Sequence, residues 1–168
     1  TGGAGFIGSH IADACIAAGH AVAIIDNLSM GKRENLNPRA TFYELDIRDP
    51  AVAEMFRKER FDAVFHLAAQ MDVRKSVEDP IFDASVNILG TLNLLEQCKG
   101  QGVKKFIFAS TGGAIYGEQD YFPADEFHPL RPLSPYGITK LAVEKYLFYY
   151  REVFGLLGPN GSGKSTTL

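Results

Sequence analysis

The opening octapeptide Thr1-Gly2-Gly3-Ala4-Gly5-Phe6-Ile7-Gly8 does most to narrow what this chain can fold into. Gly2, Gly5 and Gly8 recur at every third position in front of a helical pattern. That spacing suits a tight turn feeding a helix. The first two glycines let the backbone bend and come close to a ligand, and the third lets the helix lie against a neighbouring strand with no Cβ between them. N–H groups left open at the start of such a helix attract a pyrophosphate. A glycine triplet by itself is a weak signal, and its meaning depends on the residues beyond it.

Beyond Gly8 the chain alternates between helical and strand patterns. Over residues 6–18, Ile7, Ile11, Cys15 and Ala18 share one helical face, and Gly19 is a natural stop. Residues 21–25 are apolar throughout, as a parallel strand covered on both faces requires, and Asp26 stands at their carboxyl end, 18 residues beyond Gly8. An acidic side chain in that place accepts from both ribose hydroxyls of an adenosine and repels a 2′-phosphate, which favours NAD over NADP. The polar, turn-rich residues 27–37 are placed to fold over the adenine side.

Further strands are predicted over 41–45, 62–67 and 105–109, with a helix capped by Asp49-Pro50 between the first two. The small residues Ala68 and Ala69 stand at a strand's carboxyl end, where open α/β sheets bind ligands. Residues 80–100 read as one long crossover helix, with Asn87 inside it facing solvent or bonded to nearby backbone. Counted with a strand in front of the glycine loop, five strands alternating with helices predict an α/β fold with a Rossmann-like doubly wound parallel sheet. The first strand is missing ahead of Thr1, so the sheet is expected to be truncated, and disorder over residues 1–5 is the expected sign of it. A start at Thr1 without Met also marks the chain as a piece of something longer.

At 168 residues the chain suits one domain with a sizeable core. A net charge of -3 provides no electrostatic footprint for nucleic acid or an anionic membrane, so partners of those kinds are not expected. Cys15 and Cys98 are far apart with no second cysteine near either, which argues against a disulfide framework or a zinc site; no metal is expected. With no run long enough to span a bilayer and no secretory leader, a cytoplasmic location is expected.

Chemistry concentrates near the end. A helical pattern runs from Pro135 through Leu141, Val143 and Tyr146 to about Phe154, and Tyr136 and Lys140, four apart, lie on one face of it. A phenol, with an ordinary pKa of ~10, serves as a base near neutral pH only where a nearby cation favours its charged form. Lys140 supplies such a cation. Thr111 follows the strand at 105–109, so its hydroxyl shares the ligand crevice with Tyr136, where it can hold a substrate hydroxyl and pass a hydrogen bond to the phenol.

Together Thr1 to His10, Asp26-Asn27-Leu28, Leu45-Asp46-Ile47, His66-Leu67-Ala68-Ala69, Ser110-Thr111 and Ser134-Pro135-Tyr136 with Lys140 resemble the extended short-chain dehydrogenases, in particular the NAD-dependent epimerase/dehydratase family, over residues 1–155. The resemblance implies that Gly2, Gly5 and Gly8 bind the pyrophosphate of NAD, with Phe6 and Ile7 beside them. It places Asp26 and Asn27 on the adenosine ribose, Asp46 with Ile47 on the adenine, and Leu67, Ala68, Ala69 and Asn87 along the cofactor. Tyr136 is implied as the base, Lys140 as its partner and a nicotinamide-ribose ligand, and Thr111 as the positioned hydroxyl. The family's dehydratases follow that Thr with an Asp-Glu pair. Here Gly112-Gly113 stands instead, which favours epimerisation over elimination.

Residues 26–36 are similar to the UDP-glucose 4-epimerase type. The implied reaction removes a hydride from C4 of a UDP-hexose to NAD as Tyr136 deprotonates the hydroxyl, turns the ketosugar, and returns the hydride to its other face. In that family the nucleotide-sugar-binding residues lie further along the chain, so an inactive or weakly active fragment is expected. The alternatives are a non-catalytic NAD-binding module or another sugar-nucleotide enzyme. Family resemblance also implies a homodimer through the helix bearing Tyr146, Phe148, Tyr149 and Tyr150.

Residues 158–165 fit G-x-x-x-x-G-K-[ST] and resemble the Walker A segment of ABC transporter ATPases. A working loop needs a strand in front, a full helix behind and an acidic residue from another strand for Mg²⁺. Here only residues 153–157 could be that strand, directly abutting the preceding helix, and the given sequence runs five residues past Gly163, so residues 156–168 are expected to be an isolated tail beyond a junction near Gly155, not a domain. An ATP-binding fragment is the alternative.

Overall fold

The computed structural model describes residues 1–154, with side chains to residue 152. The tail motif and the junction near Gly155 lie outside the described residues.

Four short parallel strands form where the apolar runs were read, each trimmed at its ends. Ala23–Ile25 (β1) pairs with Thr41–Tyr43 (β2), Ala23 opposite Thr41. Ala63–His66 (β3) pairs with Lys105–Phe108 (β4), Ala63 opposite Lys105. Between the two pairs lie the first residues of the chain. Gly2 N–H donates to Ile25 O at 2.8 Å, the Thr1 nitrogen to Phe65 O at 2.6 Å, and Leu67 N–H to Thr1 O at 3.2 Å. Thr1 and Gly2 therefore bridge the carboxyl ends of β1 and β3 as the end of a strand would. The order across the molecule is β2, β1, Thr1–Gly2, β3, β4. The disorder expected over residues 1–5 is not found, because backbone bonds hold the loop from both sides.

The helices are Phe6–Ala17 (α1), Ala51–Glu59 (α2), Val73–Glu78 (α3), Pro80–Ala84 (α4), Gly90–Gln101 (α5) and Pro135–Phe154 (α6), with a π-helical turn Ser85–Leu89 between α4 and α5. One core joins α2, α5 and α6 to the strands: Ile25 of β1, Val52 and Phe56 of α2, Leu94 and Leu95 of α5, Phe106 and Phe108 of β4, and Val143, Leu147 and Tyr150 of α6. Each such side chain contributes about 1.5–3 kcal/mol by leaving water. The acidic cap before α2 is present, with Asp49 Oδ1 accepting Ala51 N–H at 2.8 Å.

Three local expectations change. The inward face of α1 is Gly8, Ser9, Ala12 and Ile16, one step round from the apolar stripe, and Ile7 is 60% exposed. Close approach of α1 to the loop selects small residues, so size decides the face rather than hydrophobicity. The crossover helix runs on from Pro80 to Gln101 as expected but carries a π-helical turn; Gly90 packs against Ile47 (a Cβ there would lie 2.6 Å from Ile47 Cδ1), and Asn87 lies in the interior, bonded to the Gln70 backbone and not facing solvent. The helix α3 was not foreseen; Asp72 starts it by accepting Arg74 and Lys75 N–H.

Candidate active site

The glycine loop is close-packed on backbone, which is why side chains are excluded from it. Gly2 has φ +70°, and a Cβ there would lie 2.6 Å from Ala68 N and 2.8 Å from Leu67 C. A Cβ on Gly8 would lie 2.2 Å from Gly2 O, and one on Gly5 3.3 Å from the same oxygen. Gly3, outside the every-third spacing, is equally constrained, its Cβ falling 2.5 Å from Ile24 Cγ2. Gly5 caps α1 without a side-chain bond and no acidic residue stands in the first turn, so that helix end is electrostatically open to an anion. Phe6 and Ile7 are exposed beside it.

Asp26 is buried at the end of β1. Its Oδ2 accepts Ala4 N–H at 3.0 Å and its Oδ1 accepts Leu28 N–H at 2.8 Å, leaving each oxygen a lone pair for a further donor. Residues 27–37 fold back onto the loop, where Lys32 N–H and Asn35 Nδ2 both donate to Ala4 O. Asn27 Nδ2 donates to Asp46 Oδ2 at 3.0 Å, and Arg48 grips the same carboxylate through Nε and Nη2, each at 2.8 Å. Those hydrogen bonds, Arg48's above all, hold Asp46 down at about 2. The Ile47 side chain is buried in the core, so only its backbone can meet a ligand. Leu67, Ala68 and Ala69 are half-buried, the first two directly beside Gly2.

Because β4 runs parallel to β3, Thr111 lies at the same edge as the glycine loop. Its hydroxyl stands near enough to the Tyr136 phenol to act on its ionisation. Burial pushes that phenol up, the Thr111 hydroxyl acts against the rise, and the charge of Asp83 adds to it. Lys140 is buried, donates from Nζ to Ala109 O at 2.8 Å, and stands 4.6 Å from the Phe108 ring centre and 5.7 Å from that of Tyr136. Burial takes it down to about 8, with Asp83 opposing. The ammonium thus faces the Tyr136 ring while bonding to a carbonyl. Ser110 Oγ donates to Glu144, one turn further along α6.

Asn87 and His66 were named from the family motifs, but the hydrogen-bond networks built round them were not anticipated. Asn87 Oδ1 accepts Gln70 N–H at 2.9 Å, and its Nδ2 reaches Gln70 O, Asp83 and Thr139. For the partners of Asn87, the polar pair four apart, Asp83 and Asn87, within an apolar helical run was the available sign. His66 lies buried between Thr1 Oγ1 at 2.7 Å and Thr91 Oγ1 at 2.8 Å, tying the loop to α5. Burial holds His66 well below its ordinary range, so the imidazole is neutral. Among the described residues, no helix is long and apolar enough to cross a membrane.

A sequence profile of the NAD dependent epimerase/dehydratase family matches residues 1–159. A putative UDP-glucose 4-epimerase from Methanocaldococcus jannaschii is 48% identical over 156 residues, covering 93% of this chain and 51% of that protein. The crystal structure of UDP-glucose 4-epimerase with UDP-glucose from Thermotoga maritima superposes with a TM-score of 0.90 at 52% identity, over 92% of this chain and 51% of the other. That of the Thermus thermophilus UDP-glucose 4-epimerase complex with NAD gives 0.89 at 52% identity, over 92% and 50%. The chain spans about half the length of these relatives.

Proposed function

Since this chain belongs to the NAD dependent epimerase/dehydratase family, we propose that it is the NAD-binding, proton-transferring half of a UDP-glucose 4-epimerase, an isomerase acting at C4 of a UDP-hexose. The observation that carries the reading is the grouping of Thr111, Tyr136 and Lys140 at the same sheet edge as a glycine loop whose packing leaves no room for side chains.

The residues present fit NAD. Gly2, Gly5 and Gly8, with the open first turn of α1 and the flanking Phe6 and Ile7, form the pyrophosphate cradle. Asp26 and Asn27 take the adenosine ribose through the lone pairs left on the carboxylate, while Asp46 and the Ile47 backbone take the adenine. Leu67, Ala68, Ala69 and Asn87 flank the cofactor at the end of β3, and Lys140 holds the nicotinamide ribose. When bound, NAD supplies the hydride acceptor for C4, and its oxidised ring adds a positive charge that favours a phenolate.

Tyr136 takes the proton of the C4 hydroxyl and returns it to the same oxygen once the ketosugar has turned. Thr111 holds that hydroxyl beside the phenol, whose ionisation it favours. Gly112 and Gly113 follow, with open space at both, so no carboxylate stands there to remove water, and epimerisation is favoured over dehydration.

We read residues 1–155 as one NAD-binding unit and residues 156–168 as a tail outside it. The cytoplasm suits its chemistry. Tyr146, Phe148 and Tyr149 are exposed on α6, and a homodimer that covers them would appear as doubled mass in light scattering. The 168-residue chain is expected to bind NAD in calorimetry yet to turn UDP-galactose over slowly or not at all. Failure to bind NAD would overturn the site; brisk conversion abolished by Tyr136→Phe would overturn the restriction to a half-enzyme.

A further inference from the structure

A carboxylate removed from water needs a full set of donors or a counter-charge. Asp83, in α4, is 0% exposed. Its Oδ1 accepts from Gln70 Nε2 at 2.8 Å and Asn87 Nδ2 at 3.1 Å, and its Oδ2 accepts from Thr139 Oγ1 at 2.9 Å. All three partners are neutral and all three donate, an arrangement suited to the ionised acid. Thr139 precedes Lys140 and has a second acceptor, Tyr136 O, at 2.9 Å; the anion is the stronger of the two.

Lys140 has the complementary problem. It is 3% exposed, its ammonium bonds a neutral carbonyl and faces two rings, and among the described residues it makes no ion pair at contact distance. The molecule therefore buries one anion and one cation near each other, neither touching a partner of opposite sign.

We propose that Asp83 is a positioning residue of this site: its buried carboxylate is the counter-charge that keeps the Lys140 ammonium protonated, and its bond to Thr139 anchors the turn of α6 that carries Tyr136 and Lys140. The role rests on the reading of Tyr136 and Lys140 as the acting pair. Asp83 opposes the effect of burial on Lys140 and also raises the Tyr136 phenol, so it maintains the cation while itself disfavouring phenolate. The other titratable groups near Lys140 are Tyr136 and Glu144 on α6, the latter bonded to Ser110, and His66 on β3, kept neutral by burial and in part by the Lys140 charge.

Isotope-labelled lysine followed by NMR across pH tests this in the chain without NAD, the Lys140 signal being the one lost in Lys140→Met. Asp83→Asn is expected to lower the Lys140 midpoint by about 1 pH unit or more, as removal of a nearby opposite charge does, and Asp83→Glu to restore part of it. Thr139→Val removes the anchor and leaves the charge, so its midpoint is expected to stay at the wild-type value. An unchanged midpoint in Asp83→Asn, or an equal fall in Thr139→Val, would overturn the counter-charge role. Should Asp83→Asn fail to fold, the wild-type Asp83 carboxyl signal decides. An ionised carboxyl at pH 7 that shifts again as Lys140 loses its proton supports the role, and a protonated one or a missing second shift refutes it. The titration needs neither cofactor nor turnover, so a midpoint that moves as expected in a chain that does not bind NAD would fault the proposed function and not the pairing of Asp83 with Lys140.

Discussion

Gly8→Ala should damage this chain although alanine is the better helix former. Inside a helix, alanine is favoured over glycine by about 1 kcal/mol, so replacement at a position with free space stabilises. Gly100 in α5 is such a position, since a Cβ there meets nothing within 4 Å. At Gly8 the same atom falls 2.2 Å from Gly2 O and 2.9 Å from both Gly2 C and Gly3 Cα, all backbone of the loop. Ordinary contact begins near 3.4 Å, so α1 and the loop must part by more than 1 Å. The bonds from Thr1 and Gly2 to β3 and β1 resist that movement. Overpacking costs about 1–3 kcal/mol, and a clash this deep against backbone belongs in the upper part of that range, about 2–3 kcal/mol. After the helix gain a net loss of about 1–2 kcal/mol remains, a fall in Tm of roughly 2–8 °C for a chain this long. The displaced N–H groups are those proposed to face the pyrophosphate. NAD affinity is expected to drop at least about tenfold, which corresponds to 1.4 kcal/mol. Urea unfolding and NAD calorimetry on wild type, Gly8→Ala and Gly100→Ala make the comparison. Gly8→Ala matching wild type in both would refute the close-packing argument, and so would equal destabilisation by Gly100→Ala, which would indicate a chain intolerant of any helix substitution.

Lys140, lowered to about 8 from 10.5 by burial, holds fewer protons folded than unfolded between those values, so its contribution to stability rises with pH across that window. Tyr136 and Tyr150, raised above 10.0 chiefly by burial, act the other way at higher pH. Cys98, raised by burial from 9.0 to about 12, offsets the Lys140 gain above pH 9, so urea unfolding should show stability climbing from pH 8 to about 9, levelling, and declining above about 10. The climb should vanish in Lys140→Met, and a flat wild-type profile would contradict the buried cation. Asp26→Asn keeps an acceptor for Ala4 or Leu28 while removing the charge that repels a 2′-phosphate, so competition binding should show the preference for NAD over NADP falling by about tenfold or more. An unchanged ratio would take Asp26 off the ribose.

Strands were legible because burial leaves short runs such as 21–25 and 63–65 without polar interruptions. Tyr136 and Lys140 were legible because spacing of four fixes a shared helical face whatever the packing. The buried face of α1 was not: Ile7 and Ile11 look like core residues, but contact with the loop admits only Gly8, Ser9 and Ala12 before Ile16. Gly3 escaped because its partner, Ile24, belongs to another strand. The Gln70, Asp83, Asn87 and Thr139 cluster joins three segments, and side chains of those types are ordinarily solvated, so nothing local separates them from surface residues.

Substitutions around the site should sort into two classes. Thr1 and Gly2 carry backbone bonds to both β1 and β3, so the proposed pyrophosphate cradle is also the seam between the two strand pairs. Replacement of Gly2, Gly3 or Gly8 must disturb binding and stability together, because the atoms a new Cβ meets belong to the seam or to β1 beside it. Thr111 and Tyr136 sit past the end of β4 and at the start of α6, outside that seam, where Thr111→Val or Tyr136→Phe removes a hydroxyl and little packing. Affinity for NAD and resistance to urea should therefore move in step for the loop glycines, while the two hydroxyl variants keep both and lose only proton transfer. Such a division is a consequence of geometry alone: the loop holds the cofactor with the backbone that closes the sheet, whereas the acid–base groups are side chains set beyond it.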